Sequence, residues 1–583
     1  MNPSNSRRRL LKRMAAITAG SMGPVLSPLS LTRSSAASRS PLSEASTRYE
    51  RRELVCSDAA TVVETSYGRI RGFRRGGVYT FKGVPYGAST SGSRRFMPPA
   101  PPEPWTGIRN ALAYGRICPQ EDSAHFITDG QNLARSDEDV FLLHRGCAVC
   151  VPGEDCLRVN IWTPEINGHG RRPVMVYMHG GGYSGGSGHD LLSYDGESLA
   201  RNHDVVVVNH NHRLNVYGYL NLVAIGGEEF ADSANAGMLD IVVVLEWVRT
   251  HISNFGGDPD NVTIFGQSGG GGKVATLMAM PRAKGLFHRA IIQSGPFLRA
   301  LSPDYSQEVA EALLKELGLV RWQVRELQRV SVDRLSGAAT EAARKTLANH
   351  TAIRDFFGET GWGPTVDGRL LPHHLFDPDA LAISSNIPLI TGTNLNESTN
   401  GLDHPGVTLM TPDEMVRLVR EAYGQESDLI IDAYRADYPT STPFGLWAAI
   451  EASRWRIPAF AQAARKAALG AAPAFSYIYS WPTPSLDRRP GTFHAAEISF
   501  VFDNADICDH YSAGDPSAFA LSKQMSTAWV SFARTGNPNH SSLPNWPAYT
   551  PDRRATMYFD APCFVRNNPE GRGLDIIARS SRA

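Results

Sequence analysis

Beyond its first few dozen residues this sequence has no basic run or stripe. That absence excludes a nucleic-acid-binding surface, which is built from clustered Lys and Arg. It also lacks internal repeats, low-complexity tracts and, after residue 60, any Pro/Gly/Ser-rich linker, so solenoid and beaded architectures fall away. Cysteine is scarce: seven in 583 residues, an odd number that cannot pair completely within one chain. Cys147-Ala-Val-Cys150 is a C-x-x-C in an irregular stretch with no matching second pair, which argues against a zinc or redox site. What is present is ordinary globular material, 42% hydrophobic and 20% charged, ample for a large core.

The N-terminus departs from this. Ser6-Arg-Arg-Arg-Leu-Leu-Lys12 is a twin-arginine motif, followed by the mildly apolar Met14 to Leu31 and then by Ser35-Ala-Ala37. Charged, apolar and small-residue regions in that order predict a bacterial twin-arginine signal peptide over residues 1–37, with a periplasmic or secreted product. The competing reading is a membrane anchor. Gly, Ser and Pro within the stretch make it a weak span, so no stable membrane association is expected after removal. Residues 1–37 hold six basic side chains and no acidic one. The mature chain therefore has 52 basic against 58 acidic residues, a net charge of −6.

The organising stretch is Asn261-Val-Thr-Ile-Phe-Gly-Gln-Ser-Gly-Gly-Gly-Gly-Lys273. Val262 to Phe265 are β-branched or aromatic and read as a buried strand; Val274 to Met280 read as a helix. Strand, G-x-S-x-G and helix in that order is the layout of a nucleophile elbow. Ser268 must project from a sharp turn, and glycines beside it leave room for the strained backbone. Gly182-Tyr-Ser184-Gly-Gly186 fits the same pattern, but no strand directly precedes it and no helix follows. Ser184 is therefore read as a loop residue and Ser268 as the nucleophile, against the plainer reading of a glycine-rich turn.

Around it, Thr61 to Gly72 and Phe81 to Tyr86 read as short antiparallel strands, and Arg95 to Pro102 as an extended, proline-fixed surface segment. Residues 121–150 read as a long loop, either lid or insertion, and Glu154 to Trp162 as a strand. Val174 to Met178 and Val205 to Val208 are continuous apolar runs, as expected of strands covered on both faces. A helix is expected over Asn235 to Asn254, then a turn at Gly257 to Asn261. Ala290 to Gln293 and Pro388 to Thr391 are further strands, separated by helical, charge-rich stretches between about 304 and 347. Strand alternating with helix predicts an α/β fold with a mostly parallel sheet.

Serine needs a base, a carboxylate to hold the base, and N–H donors for the oxyanion. His179-Gly-Gly-Gly-Tyr183 ends a strand and suits the last task, with Gly181, Gly182 and Gly269 as donors; a flexible hinge is the alternative. Glu397 follows the strand ending at Thr391, where α/β sites form, although a solvated loop glutamate reads the same way. His494 lies in a glycine-containing loop entering an apolar segment. His210 and His212 compete with it on position and precede Ser268.

Together, His179-Gly-Gly-Gly, Glu154-Asp-Cys-Leu, Phe255 to Gly271, Gly392-Thr-Asn-Leu-Asn-Glu397, His494-Ala-Ala-Glu and Trp529 to Asn539 closely resemble the type-B carboxylesterase/lipase family, which includes the cholinesterases. The likeness runs from about residue 60 to about 560. It implies one α/β-hydrolase domain over residues 38–583: a large, mostly parallel sheet, helices on both faces, and long insertions forming a gorge. It implies a triad of Ser268, Glu397 and His494, a disulfide between Cys118 and Cys156, and a polar pair, Ser294 and Glu497, behind the triad. It implies no cofactor, no metal and no partner beyond a small-molecule ester.

Two departures bear on specificity. Gln267 stands where the family usually has Glu, so neutral or anionic esters are expected in preference to cationic ones. Gly269 stands where Ala is common. The expected function is ester hydrolysis through an acyl-enzyme. The alternatives are a non-catalytic cholinesterase-like adhesion protein or, among enzymes, a lipase, an amidase or a polyester hydrolase.

Overall fold

The computed structural model describes residues 53–120, 141–142, 150–350, 353, 361–397 and 408–580. The expected signal segment and most of the 121–150 loop lie outside the described residues. The strands, in chain order, are β1 (Leu54–Val55), β2 (Val62–Thr65), β3 (Gly68–Arg71), β4 (Phe73–Arg75), β5 (Val78–Pro85), β6 (Ile108–Asn110), β7 (Arg158–Thr163) and β8 (Arg172–Met178). Then follow β9 (Val206–Asn211), β10 (Gly257–Gln267), β11 (Arg289–Gln293), β12 (Leu389–Asn394), β13 (Ala474–Tyr479), β14 (Thr556–Phe559) and β15 (Phe564–Arg566). Twelve form one sheet in the order β1-β4-β5-β7-β9-β8-β10-β11-β12-β13-β14-β15, and β2-β3-β6 form a small second sheet. From β9 through β14 every pairing is parallel; both flanks are antiparallel.

The apolar runs are continuous because both faces of the central strands are covered. Val174, Val176 and Met178 of β8 enter one core with Leu239, Leu245 and Leu277 from the helices Ala236–His251 and Gly269–Ala279. Met175 and Tyr177, one residue out of phase, enter the opposite core with Met525 and Trp529 from the helix Pro516–Thr535. The period-two alternation of a strand thus feeds two cores, one on each side of the sheet.

Several expected boundaries shift. Residues 257–261 do not form a separate turn: they are extended chain of β10, pairing Gly257 with Arg172 before the register slips ahead of Val262. The strand expected from Glu154 starts at Arg158, because Glu154 is committed to a buried bidentate ion pair with Arg95. Arg95 and Phe96 are accordingly buried, so the segment 95–102 is only partly a surface one. Cys118 and Cys156 are buried side by side, yet both are thiols, so the expected disulfide is not formed. The Cys118 sulfur accepts the Leu214 N–H at 3.2 Å, and the hydrogen bond between the thiols, with burial, holds the Cys156 thiol well above its ordinary pKa.

The site follows from this sheet. The C-terminal ends of β8, β10 and β12 lead directly into His179, Ser268 and the loop bearing Glu397, and the loop carrying His494 comes after β13. Loops leaving the carboxyl ends of neighbouring parallel strands converge at one edge.

Candidate functional site

Ser268 sits between β10 and the helix Gly269–Ala279 with φ 59° and ψ −127°. A non-glycine residue there costs about 1–3 kcal/mol of strain and is kept only where the surroundings enforce it. The enforcement is visible. The Ser268 N–H donates to the Gln293 carbonyl at 2.8 Å, and the Gly272 N–H takes up the Ser268 carbonyl at 3.1 Å. A Cβ on Gly270 would stand 2.0 Å from the Met178 carbonyl oxygen, so only glycine lets the helix start this close to β8. Ser184, the rival serine, lies in a turn in which its N–H returns to the Gly181 carbonyl, and no helix follows it.

Glu397 is fully buried. One carboxylate oxygen accepts the Asn394 N–H at 2.7 Å and the other meets His494 Nδ1 at 2.6 Å. Glu397 accepts through its oxygens, so Nδ1 carries the proton and Nε2 presents its lone pair. Nε2 faces the Gln267 side-chain amide, whose N–H donates to it at 3.2 Å. The Trp455 ring rests against the imidazole, centroids 4.8 Å apart. Ser268 and His494 line one cavity together with Gln120, Gly181, Asp190 and Tyr194. His210 and His212 do not join this group. They are buried, and the His212 ring lies tilted against that of His179, centroids 4.7 Å apart. Burial first, then the charge of Lys273, pulls both below the ordinary histidine range, His210 to about 3.

Behind the imidazole the expected pair of Ser294 and Glu497 is not joined. The buried Ser294 hydroxyl has no hydrogen-bond partner among the described residues. Glu497 is held instead by Asn394 Nδ2 at 2.8 Å and Gln293 Nε2 at 3.3 Å, and Gln293 in turn accepts the Trp529 indole N–H at 3.2 Å. Burial, then repulsion from Glu397, raises the Glu497 carboxyl to about 7. Asn394 was legible inside the Gly392 to Glu397 motif. Gln293, at a strand end, carried no signal beyond its place after an apolar run.

The glycine loop lies alongside. Gly181 and Gly182 have φ of 86° and 61°, open to glycine at little cost. Among the described residues neither amide N–H meets a protein acceptor. Gly269 opens its helix, so its N–H has no carbonyl a turn earlier to bond. A Cβ on Gly269 would come within 2.2 Å of the Gly182 carbonyl oxygen, which accounts for glycine here.

Elbow, strand order and carboxyl-edge site together make this an α/β-hydrolase. The chain belongs to the carboxylesterase family, whose model matches residues 59–576. It is 34% identical over 516 residues to the para-nitrobenzyl esterase of Bacillus subtilis, spanning 87% of this chain and 96% of the other. The structure superposes on an esterase of Clostridium hathewayi with a TM-score of 0.77 at 33% identity, covering 91% of this chain and 100% of that one. Carboxylesterase EST55 of Geobacillus stearothermophilus gives 0.71 at 34% identity, covering 88% and 99%. The activity of this chain is the hydrolysis of carboxylic esters.

Proposed function

We propose that hydrolysis proceeds through an acyl-enzyme on Ser268. The Oγ attacks the ester carbonyl while His494 Nε2 takes its proton, and Glu397 holds the imidazolium that forms. The Gly181, Gly182 and Gly269 amides receive the oxyanion, each contribution worth roughly 10²–10³ in rate. Collapse breaks the bond to the alcohol oxygen, which leaves with the proton from His494. Water then attacks the acyl carbonyl while His494 takes its proton, and collapse breaks the bond to Ser268 Oγ, which receives that proton as the acid departs. The observation that carries this is His494, clamped by Glu397 through Nδ1 and lining the same cavity as Ser268. In the resting arrangement the Gln267 amide holds the Nε2 lone pair, so substrate entry must displace it.

Neutral esters are the favoured class. Gln267 brings no charge, and Asp190 in the wall disfavours an anionic acid. The Clostridium hathewayi esterase hydrolyses aliphatic aromatic polyesters; ester, anilide and polyester substrates compared on this protein separate those chemistries. A fluorophosphonate probe gives the decisive test. Labelling lost in Ser268→Ala but kept in Ser184→Ala is expected. No labelling of the unmodified protein favours a binding role, and loss only in Ser184→Ala moves the nucleophile. We propose export as well, supported by the motif at Ser6 to Lys12. Replacing Arg7, Arg8 and Arg9 by Lys should retain the precursor in the cytoplasm, read by cell fractionation.

A further inference from the structure

One feature of the helix after the elbow has no part in the reaction described above. Lys273 is fully buried, with no exposed surface. Burying an ammonium is costly unless something specific receives its N–H groups. Here the receivers are backbone: Nζ donates to the carbonyl of His179 at 3.0 Å and to that of Gly182 at 2.9 Å. The Tyr183 ring adds a cation–π contact, 5.5 Å from Nζ to its centroid. The spacing delivers it. Residues four apart share a helix face, so Lys273 lies one turn beyond Gly269, on the side that glycine leaves open to the loop.

The two carbonyls bracket the loop. Between them, the Gly180 carbonyl accepts from His179 Nδ1 at 2.8 Å, and the Gly181 carbonyl from the Gly185 N–H at 3.0 Å. Each carbonyl from 179 to 182 therefore has a donor. Because a peptide is planar, fixing a carbonyl fixes the N–H of the following residue. The carbonyls of Gly180 and Gly181 set the N–H directions of Gly181 and Gly182, and Lys273 anchors the planes on either side. We infer that Lys273 is a positioning residue for the oxyanion hole, holding the 179–182 loop so that the Gly181 and Gly182 amides stay aimed into the cavity. This rests on the assignment of those amides to the oxyanion.

The groups facing Nζ are His179 at the end of β8, His210 and His212 on and after β9, Tyr183 in the loop, and Asp190 in the cavity wall. Burial lowers the Lys273 ammonium to about 7, opposed by the charge of Asp190. A neutral amine keeps two N–H bonds, so the clamp outlasts the charge.

The test compares Lys273→Met, which keeps the length but no donor, with Lys273→Gln, which keeps an N–H₂. Steady-state kinetics on a p-nitrophenyl ester are paired with inhibition by a trifluoromethyl ketone, whose adduct with a serine carries an oxyanion. For Lys273→Met we expect kcat/KM to fall about 10–100-fold, as small misplacements in active sites do. KM should stay within about threefold, and ketone affinity should weaken in step with kcat/KM. Lys273→Gln should recover part of both. Wild-type kinetics and ketone affinity in Lys273→Met overturn the inference. So does an activity loss that only tracks the unfolded fraction in thermal melts, or failure of both variants to fold, because each assigns Lys273 to stability alone. Ser268→Ala, run alongside, separates the two readings: if it stays active the nucleophile assignment fails, and if it is dead while Lys273→Met is normal only this inference fails.

Discussion

His494 is tied to Glu397 twice: the imidazole Nδ1 lies 2.6 Å from the carboxylate Oε2, and the His494 backbone N–H donates to the Glu397 carbonyl at 3.0 Å. The two residues are 97 positions apart in the chain. The backbone bond sets where the loop passes, and the side-chain bond sets ring orientation and tautomer. Glu397 is fully buried, so its placement does not depend on solvent, whereas the His494 side chain stays 29% exposed toward the cavity.

Glu397→Gln tests the side-chain half of that tie. The amide can turn its N–H₂ toward Nδ1, moving the ring proton to Nε2, where no base remains. Turnover of a p-nitrophenyl ester should fall about 10³–10⁴-fold. The backbone bond survives, so the melting temperature should stay within a few degrees.

Gly269→Ala tests the close approach of helix and loop. The new Cβ would meet the Gly182 carbonyl oxygen at 2.2 Å, which is backbone and cannot swing aside. Overpacking of this kind costs about 1–3 kcal/mol. Chemical denaturation should show that loss, and kcat should fall by more than stability explains, because the displaced atoms carry an oxyanion donor. Unchanged kcat would place that donor elsewhere.

Glu497 gives a pH signature. Its carboxyl rises from 4.5 to about 7 on folding, through burial first and Glu397 second. A raised folded value means the native state holds the proton more tightly. The associated stability is complete below about 4.5 and is lost as pH climbs through about 7. The shift corresponds to about 3 kcal/mol at most. Urea unfolding at pH 5, 6 and 7 should show stability falling with pH, and Glu497→Gln should flatten that slope.

The Arg213–Asp240 pair tests the frame beneath the site. Both side chains are buried, with Nε–Oδ2 at 2.8 Å and Nη2–Oδ1 at 2.7 Å, and Arg213 also donates to the Met97 carbonyl. Asp240→Ala leaves a buried guanidinium without its counter-charge, a loss of about 3–5 kcal/mol. Thermal melts should drop accordingly, and ester turnover per folded molecule should hardly change.

What could be read without coordinates was local. Val262 to Phe265 is β-branched or aromatic, glycines flank Ser268, and an apolar helix follows, so the elbow was legible from one short stretch. The same holds for the strand ending at Met178 and its glycine loop, where short-range sterics dictate the backbone. Glu397 was legible as a loop position after an apolar strand and His494 as one in a loop entering an apolar segment, and their partnership through family resemblance. Two readings failed for one physical reason: side-chain partners are chosen in space. Ser294 looked like the companion of Glu497, yet Gln293 and Asn394 take that carboxylate. Cys118 and Cys156 came out adjacent, hydrogen-bonded as thiols and not joined by a disulfide.

Lys273 was passed over altogether. A lysine in the first turns of a helix reads as a solvated cation, and nothing near it in the sequence says otherwise. The chain by itself determined the sheet, the elbow and the residue types available for acyl transfer, because those follow from periodicity and backbone sterics. Only the tertiary structure decided which carboxylate meets which imidazole, and that carbonyls 91 and 94 residues away would receive the Lys273 ammonium. Burial strips the water that would otherwise satisfy these groups, and each must then take whatever partner the fold sets beside it.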